Sequence, residues 1–294
     1  MIAGVSSGIE LYQDFRLATA RQLTNNSIVG RMQGLTLWFE TTSDKSFEKT
    51  TPQANESIAK WKNLVLSADK IDLFQTDSQY QPKYLPYAIN NLPALDFNDN
   101  IRYLLSDPIS FNDFSGNENI TMFYVIRSIS NSNPNAGNIF AFVESDANNT
   151  QSFGMQIYFF HKFLTYDNNV KFYFGNKQVS GCNLVFGTNA GTNQYNKCGN
   201  IFSYNFTDYM NKNFIFTLTK NSNVGTIYVN GAVNNSHDFF TYIYQPSNIK
   251  SNIYIGTQSR SVLSYIGEII IFNRSLSDKE ISNVYEYLKN KWKI

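Results

Sequence analysis

The stretch YIGEIIIFNRSLSDKEISNVYEYLKNKW, residues 265–292, passes from a strand pattern to a helix pattern within a few residues. The unbroken apolar run IIIF, residues 269–272, is typical of a strand. Ser277 and Glu280 follow as an S-x-x-E capping box, in which each side chain satisfies a backbone N–H at the start of a helix. Apolar residues then recur in one stripe at helical spacing: Ile281, Val284, Tyr285, Leu288 and Trp292. The stretch predicts a strand followed by a short helix that docks by one face.

Two further features of this predicted helix concern how it sits. Lys289, Lys291 and Lys293 lie at its end, where positive charge interacts favourably with the helix dipole. Its apolar stripe, with Tyr285, Leu288 and Trp292, is expected to pack on the β-structure that precedes it. We therefore interpret the helix as a lid on that structure.

The chain before this stretch is dominated by short aromatic and β-branched segments between Asn- and Gly-rich turns. Asn230-Gly231 is the dipeptide that favours a tight hairpin turn, because both residues tolerate positive φ. Strands at such short, regular intervals predict an antiparallel sandwich. The predicted strands are residues 34–42, 120–129, 152–160, 169–176, 213–220 and 225–233, with further ones in NIYIGTQS and EIIIFNR.

The first part of the chain has a different pattern. Residues 9–24 contain no Gly or Pro and predict an amphipathic helix, which NNS at 25–27 would end. The positions at helical spacing that are expected to share its buried face are Ile9, Tyr12, Phe15 or Arg16, Ala20 and Leu23.

The composition excludes several classes of function. The 294 residues include 24 Lys plus Arg and 23 Asp plus Glu, a net charge of +1, so no global field attracts nucleic acid or anionic lipid. Two Cys and two His leave little for a zinc site. Cys182 and Cys198 flank a polar loop and are expected to form a disulfide if the protein is exported; two free thiols are the alternative.

The quoted motifs resemble those of concanavalin A-like, laminin-G-like jelly-roll domains. YIGEIIIFNRSLSDKEISNVYEYLKNKWKI is similar to the closing signature of that family, and LTLWFETT to its opening strand. IAKWKNL and QPKYLPYAINNLPALDFND follow in the same order. The resemblance covers residues 34–294 and implies an all-β, antiparallel β-sandwich jelly roll with an N-terminal amphipathic helix and a short C-terminal helix.

Residues 1–33 resemble a second family, the type IV prepilin-like proteins. There an apolar N-terminal helix continues into an amphipathic one that packs on a globular head. The stretch MIAGVSSGIELYQDFRLATARQLTNNSIVGRMQGLTLWFETT is similar to the part that follows the cleavage motif, although that motif and most of the apolar span are missing. The resemblance implies an extracellular or cell-surface bacterial protein with pilus or pseudopilus subunits as partners. A membrane would then be reached only through an upstream segment outside this chain.

Candidate binding residues are aromatic or acidic. Tyr80, Tyr84 and Tyr87 in YQPKYLPY, and Tyr195 between the cysteines, are candidates for a carbohydrate or partner site. In DFNDN, residues 96–100, the cluster Asp96, Asn98 and Asp99 offers oxygen ligands for Ca²⁺, although a polar turn is the simpler interpretation. Otherwise no cofactor is expected. All three tryptophans are predicted in the core: Trp38, Trp61 and Trp292.

Catalytic motifs are scarce. GVSSG matches a nucleophile elbow around Ser6, but no strand precedes it. The acidic triplet of laminarinase-type hydrolases, which share the fold, is matched only by Glu144 and Asp146, with Asn149 at the third position. We therefore expect no enzyme, and favour a pilin- or pseudopilin-like subunit with a lectin-like head for adhesion or carbohydrate recognition. The alternatives are a phage or cell-surface structural module without glycan binding and, less favoured, a glycoside hydrolase.

Overall fold

The computed structural model describes residues 2–66, 70–97, 101–110, 119–129, 136–145, 152–160, 169–176, 200–205, 207–222, 224–238, 250, 252–256 and 264–294. In these ranges the strands form two antiparallel sheets of eight strands each. The first sheet contains β1 (Leu35–Glu40), β4 (Lys83–Ile89), β5 (Leu92–Asp96), β7 (Ile120–Ser128), β12 (Asn213–Asn221), β13 (Val224–Val229), β14 (Ala232–Asp238) and β16 (Ser264–Phe272). The second contains β2 (Lys60–Trp61), β3 (Leu73–Phe74), β6 (Tyr103–Leu105), β8 (Ala136–Ser145), β9 (Ser152–Phe160), β10 (Asn169–Asn176), β11 (Asn200–Asn205) and β15 (Ile253–Gly256).

Helices cover the outer side of the first sheet. They are α1 (Ile2–Asn25) and α2 (Asp278–Trp292), and short 3₁₀ turns occupy Val29–Arg31 and Thr207–Tyr209. One core lies between the two sheets and includes Phe39, Trp61 and Tyr124. A second core lies between the first sheet and the helices and includes Trp38, Phe123 and Trp292. The molecule is therefore a three-layered β-sandwich of jelly-roll type, and the predicted fold class, the terminal helices and the three core tryptophans are confirmed.

Strand β16 lies at the centre of the first sheet. One of its edges pairs with β7 along the whole strand. Its other edge is shared, because the first half pairs with β5 and the second half with β1, where Leu37 is opposite Ile271. Since both faces of the sheet are covered, β16 is buried on both faces from Ile266 onward, and its second half is continuously apolar instead of alternating. This explains the IIIF run of the sequence.

Helix α2 forms as predicted. The capping box is present, and the Glu280 carboxylate accepts hydrogen bonds from the backbone N–H and the hydroxyl of Ser277 at 2.9 Å each. Arg274 donates to both oxygens of Glu280 and holds its pKa at about 2, with the Ser277 hydrogen bonds adding to the effect. The predicted apolar stripe is the buried face, with Tyr285 partly covered and the others buried: Ile281, Val284, Leu288 and Trp292.

The predicted buried face of α1 is wrong in its first half. Phe15 is 68% exposed, and Ile9 and Tyr12 are exposed as well. Arg16, Ala20 and Thr24 are buried instead. Arg16 is buried because it donates a hydrogen bond to the backbone oxygen of Lys291 at 3.3 Å. This part of α1 therefore contacts the polar C-terminal end of α2 rather than an apolar surface. No helix within the described ranges is both long and apolar enough to cross a membrane.

The predicted hairpin turn is confirmed. Asn230 and Gly231 have φ values of 51° and 78° and join β13 to β14. The Asn230 side chain also accepts a hydrogen bond from the backbone N–H of Ile215 at 2.9 Å. Tyr285 of α2 packs directly over Gly231, where any side chain would collide with its ring. The hairpin is thus fixed to both the sheet and the helix.

Candidate functional site

Three tyrosines form a row on the outer face of the second sheet. Strands β6 and β15 pair with Gly256 opposite Tyr103. Ile253 and Ile255 point into the core, so Tyr254 between them points outward. The Tyr103 ring lies 6.4 Å from that of Tyr254 and 5.8 Å from that of Tyr80, with tilts of 39° and 38°. We call Tyr80, Tyr103 and Tyr254 the tyrosine row.

The tyrosine row is partly open to solvent. Tyr103 at its centre is 7% exposed, whereas Tyr80 and Tyr254 are half-buried. Its position is fixed by the backbone, since the Tyr103 N–H donates to the Tyr80 oxygen at 2.9 Å. Burial raises the pKa of Tyr254, and the neighbouring Tyr103 adds to the shift. The phenol is therefore neutral at ordinary pH and can both donate and accept a hydrogen bond.

The other predicted tyrosines lie elsewhere. Tyr84 is 2% exposed and packs edge-on against Phe47 in the core, so its prediction as a ligand contact is corrected: a ligand cannot reach it. Tyr87 is exposed, but it belongs to β4 of the first sheet. Tyr195 lies outside the described residues. Of the four predicted binding tyrosines, only Tyr80 belongs to the row.

The predicted calcium ligands are only partly visible. Asp96 ends β5, and its carboxylate forms an ion pair of 2.7 Å with the Arg102 guanidinium. Asn98 and Asp99 lie outside the described residues. Among the residues described, no three His, Cys, Asp or Glu side chains form a metal-binding group. Because two of the three predicted ligands lie outside the described residues, the calcium site stays a prediction.

Several other predictions fall outside the described part of the chain. They are the disulfide between Cys182 and Cys198 and two of the hydrolase positions, Asp146 and Asn149. Glu144 lies on β8, whose backbone alone is described there. These predictions therefore stay predictions.

A pocket of about 520 Å³ opens at one end of the sandwich. We call it the end pocket. It lies where β1 and β3 begin, where β6 ends and where the chain leads into β15. Its lining combines apolar and charged residues from these segments: Leu35, Thr36, Val65, Lys70, Ile71, Asp72, Asp107, Pro108, Ile109 and Lys250. A volume of this size is in the usual range for small-ligand sites, about 300–1,000 Å³.

A buried ionic cluster joins the helices to the first sheet. Lys291 Nζ lies 2.8 Å from Glu268 Oε2 and 3.0 Å from Glu40 Oε2, and all three side chains are fully buried. We call these residues the buried triad. The lysine was expected only to favour the helix dipole, but Thr24 of α1 also accepts from it at 2.7 Å. Burial by itself lowers the pKa of Lys291, but Glu268 and Glu40 outweigh it, so the pKa is raised and the ammonium stays charged.

Glu268 is the better satisfied acid of the buried triad. Its Oε1 accepts from Trp38 Nε1 at 2.8 Å and from the Tyr287 hydroxyl at 2.9 Å, and its Oε2 also accepts from Trp292 Nε1 at 2.8 Å. With no solvent access and every Glu268 lone pair occupied, the triad holds the structure together and offers no surface for a ligand. The tyrosine row and the end pocket, by contrast, are open to solvent.

Sequence reasoning missed most of these residues. Tyr103 and Tyr254 were not among the candidates, although the alternation of Tyr254 with two isoleucines in NIYIG is a local signal for an outward position. No local signal marks the end pocket, because its walls come from five separate segments.

Comparisons with known proteins place the chain in a fold class, that of β-sandwich jelly-roll domains. No protein-family model matches the chain, and no curated protein sequence does. It is similar to the solved structure of Trypanosoma rangeli sialidase in complex with sialic acid, with a TM-score of 0.52 and 12% identity over 88% of this chain and 33% of that chain. It is also similar to the binding domain of botulinum neurotoxin serotype D, with a TM-score of 0.51 and 14% identity over 86% of this chain and 50% of that one.

A second structure of a botulinum neurotoxin D receptor-binding domain gives the same values of TM-score and identity, 0.51 and 14%, over 86% of this chain and 52% of that chain. The chain therefore spans about half the length of the toxin domains and a third of the sialidase. At such low identities the likeness establishes the fold alone.

Proposed function

We propose that the protein is a non-enzymatic, lectin-like module that binds carbohydrate on the tyrosine row. The observation that carries the proposal is the row itself: three adjacent aromatic rings on an outer sheet face, two of them half-buried. Flat aromatic faces suit the C–H faces of sugar rings, and a neutral phenol can hydrogen-bond to sugar hydroxyls. The centroid spacings of 5.8 and 6.4 Å are comparable to the length of one pyranose unit.

The comparisons support this proposal by analogy only. The similar structures include a receptor-binding domain of a toxin and a sialidase in complex with sialic acid, so such sandwiches occur in proteins that bind receptors or sugars. Fold likeness does not carry function by itself, and the argument therefore rests on the tyrosine row.

A glycan array probed with the full chain tests the proposal. We expect the wild-type protein to bind a subset of glycans, and Tyr254→Ala to weaken that binding about tenfold, since an aromatic contact is worth roughly 1.5 kcal/mol. Tyr87→Ala is the matched control, because Tyr87 is an exposed tyrosine of the other sheet. If the protein binds no glycan on the array, the result favours the alternative of a structural module without glycan binding. Release of reducing sugar from a β-glucan would instead contradict the non-enzymatic proposal.

We further propose that the protein is an exported, pilin- or pseudopilin-like subunit, with the sandwich displayed at the cell surface. The supporting observation is the exposed apolar side of α1, with Ile9, Leu11, Tyr12 and Phe15 open to solvent. Exposed apolar side chains of this size on one helix suit packing against other subunits. Sedimentation of the wild-type protein and of a Leu11→Ser/Phe15→Ser variant tests assembly, and equal molar masses for the two would count against it. Surface labelling of intact cells tests the location.

A further inference from the structure

We propose that the end pocket binds the carboxylate group of an acidic saccharide whose adjoining sugar rings lie on the tyrosine row. This inference rests on the proposed carbohydrate binding and adds the class of ligand, an oligosaccharide containing a uronic or other carboxylated sugar. Four properties of the pocket carry it: its charge balance, its exposed charged side chains, its apolar wall and its distance from the row.

The charge balance around the pocket favours an anion. The Asp72 carboxylate lies 3.1 Å from Lys60 Nζ and 3.9 Å from Lys70 Nζ, so one negative charge is shared between two ammonium groups. Asp72 also accepts from the backbone N–H of Asn63 at 2.9 Å. The lining itself holds two lysines, Lys70 and Lys250, and two aspartates, Asp72 and Asp107. Lys60 lies beside the pocket and pairs with Asp72, so the local balance is one positive charge in excess. A bound carboxylate would compensate it.

The wall of the pocket that carries Asp107 and Lys250 is held in place by hydrogen bonds. The backbone N–H of Ile253 donates to the Ser106 hydroxyl at 2.9 Å, and the Asn252 amide donates to the Ser106 carbonyl oxygen. These bonds fix the chain at Asn252 and Ile253, where β15 begins, against the chain that carries Asp107. Both charged side chains are exposed, so Lys250 can meet a carboxylate while Asp107 accepts from sugar hydroxyls.

Apart from Thr36, the remaining lining is apolar. Ile71 and Ile109 are partly buried and pack against the core between the sheets. Leu35, Val65 and Pro108 complete this wall. A wall of this kind suits the C–H face or an acyl methyl group of a sugar, because it desolvates apolar atoms without leaving polar groups unpaired.

The pocket and the tyrosine row are within reach of one short oligosaccharide. Tyr254 follows Lys250 by four positions, and four residues of extended chain span at most about 14 Å. Tyr103 likewise lies four positions before Asp107 on the paired strand. An acidic residue of a tri- or tetrasaccharide can therefore occupy the pocket while its neighbours stack on the tyrosines.

Calorimetric titration of the full chain with acidic oligosaccharides, each paired with its carboxyl-reduced neutral form, tests the inference. We expect the wild-type protein to prefer the acidic member about tenfold, which corresponds to roughly 1.4 kcal/mol. Lys250→Glu should abolish the preference but keep binding of the neutral member, and Tyr254→Ala should weaken both. Lys289→Glu is the matched control, because it makes the same charge change on an exposed lysine of α2.

The outcomes separate this inference from the proposed function. If the wild-type protein binds both members equally and Tyr254→Ala weakens both, the tyrosine row binds sugar and the acidic ligand class is wrong. If an acidic preference persists in both Lys250→Glu and Lys70→Glu, the end pocket is not its source. If no member of any pair binds, both proposals fail. Circular dichroism of each variant establishes that the fold is retained.

Discussion

Lys291 and Glu268 form an ion pair of 2.8 Å in which neither side chain reaches solvent. Lys291 comes from the last turn of α2 and Glu268 from the central strand of the first sheet. Glu40 of β1 and Thr24 of α1 contact the same ammonium group. Two elements from the first 40 residues and two from the last 31 therefore meet at one buried nitrogen.

Lys291→Met should destabilise the protein strongly. The substitution leaves two buried carboxylates next to each other without their counter-ion, and breaking a buried ion pair in this way costs about 3–5 kcal/mol. Urea unfolding followed by tryptophan fluorescence measures the loss. Lys289→Met is the control, because Lys289 pairs with Glu286 at the surface and its loss should cost less than about 1 kcal/mol. Equal effects of the two substitutions would mean that the buried triad is not stabilising.

The two acids of the triad should differ in their tolerance of an amide. Both oxygens of Glu268 accept hydrogen bonds, so in Glu268→Gln the new NH₂ group must face another donor. Glu40 uses only Oε2, and its Oε1 has no hydrogen-bond partner in the described part of the chain. Glu40→Gln can place its NH₂ group there. We expect Glu268→Gln to lower the free energy of unfolding by about 2 kcal/mol more than Glu40→Gln; the reverse order would refute this account.

Gly267→Ala should loosen the docking of α2. An added Cβ at Gly267 would lie 2.5 Å from the Trp292 ring, and overpacking of this kind costs about 1–3 kcal/mol. Gly8→Ala is the matched control, since a Cβ at Gly8 of α1 meets nothing within 4 Å and should stabilise the helix by roughly 0.5–1 kcal/mol. Thermal unfolding of the two variants should therefore shift in opposite directions. A neutral Gly267→Ala would show that Trp292 moves aside easily.

Local patterns in the sequence were sufficient to predict the secondary-structure elements but not the buried triad. The capping box and apolar stripe of α2, and the Asn230-Gly231 turn, depend on residues a few positions apart, so the sequence predicted them correctly. The triad depends on Glu40, Glu268 and Lys291, which only the folded chain brings together. Polar residues in strands ordinarily face solvent, and a lysine at a helix end ordinarily does too, so each residue alone suggested exposure.

Local patterns were also insufficient to predict the buried face of α1 and the tyrosine row. On α1 the apolar residue Phe15 was expected inside and Arg16 was an alternative; the structure buries Arg16 because the backbone oxygen of Lys291 offers it a partner. Tyr80 was predicted as a binding residue, but Tyr103, which contacts it, lies 23 positions later in the sequence. Tyr254 joins the row only through the pairing of β6 with β15. Partners that lie far away in sequence decide which side chains are covered.

The Arg274–Glu280 pair gives a prediction for acid pH. The pKa of Glu280 in the folded protein is about 2, below its ordinary value, so the carboxylate stabilises the fold above its unfolded-state pKa and loses this effect as the pH falls towards 2. Glu280→Gln should lower the free energy of unfolding by about 1 kcal/mol at neutral pH, because a capping interaction is lost. Near pH 2 the two proteins should be equally stable. Urea titrations at the two pH values measure both differences, and a gap that persists in acid would contradict the assignment.

The pairing of β1 with β16 has a consequence for how the protein is made. Thr36 of β1 donates to the backbone oxygen of Ile271, a partner 235 residues later in the chain. During synthesis β1 emerges from the ribosome long before that partner exists, and until then one of its edges and the apolar side chain of Leu37 stay uncovered. The first sheet can therefore be completed only after β16 has been translated, and the uncovered edge of β1 can aggregate until then.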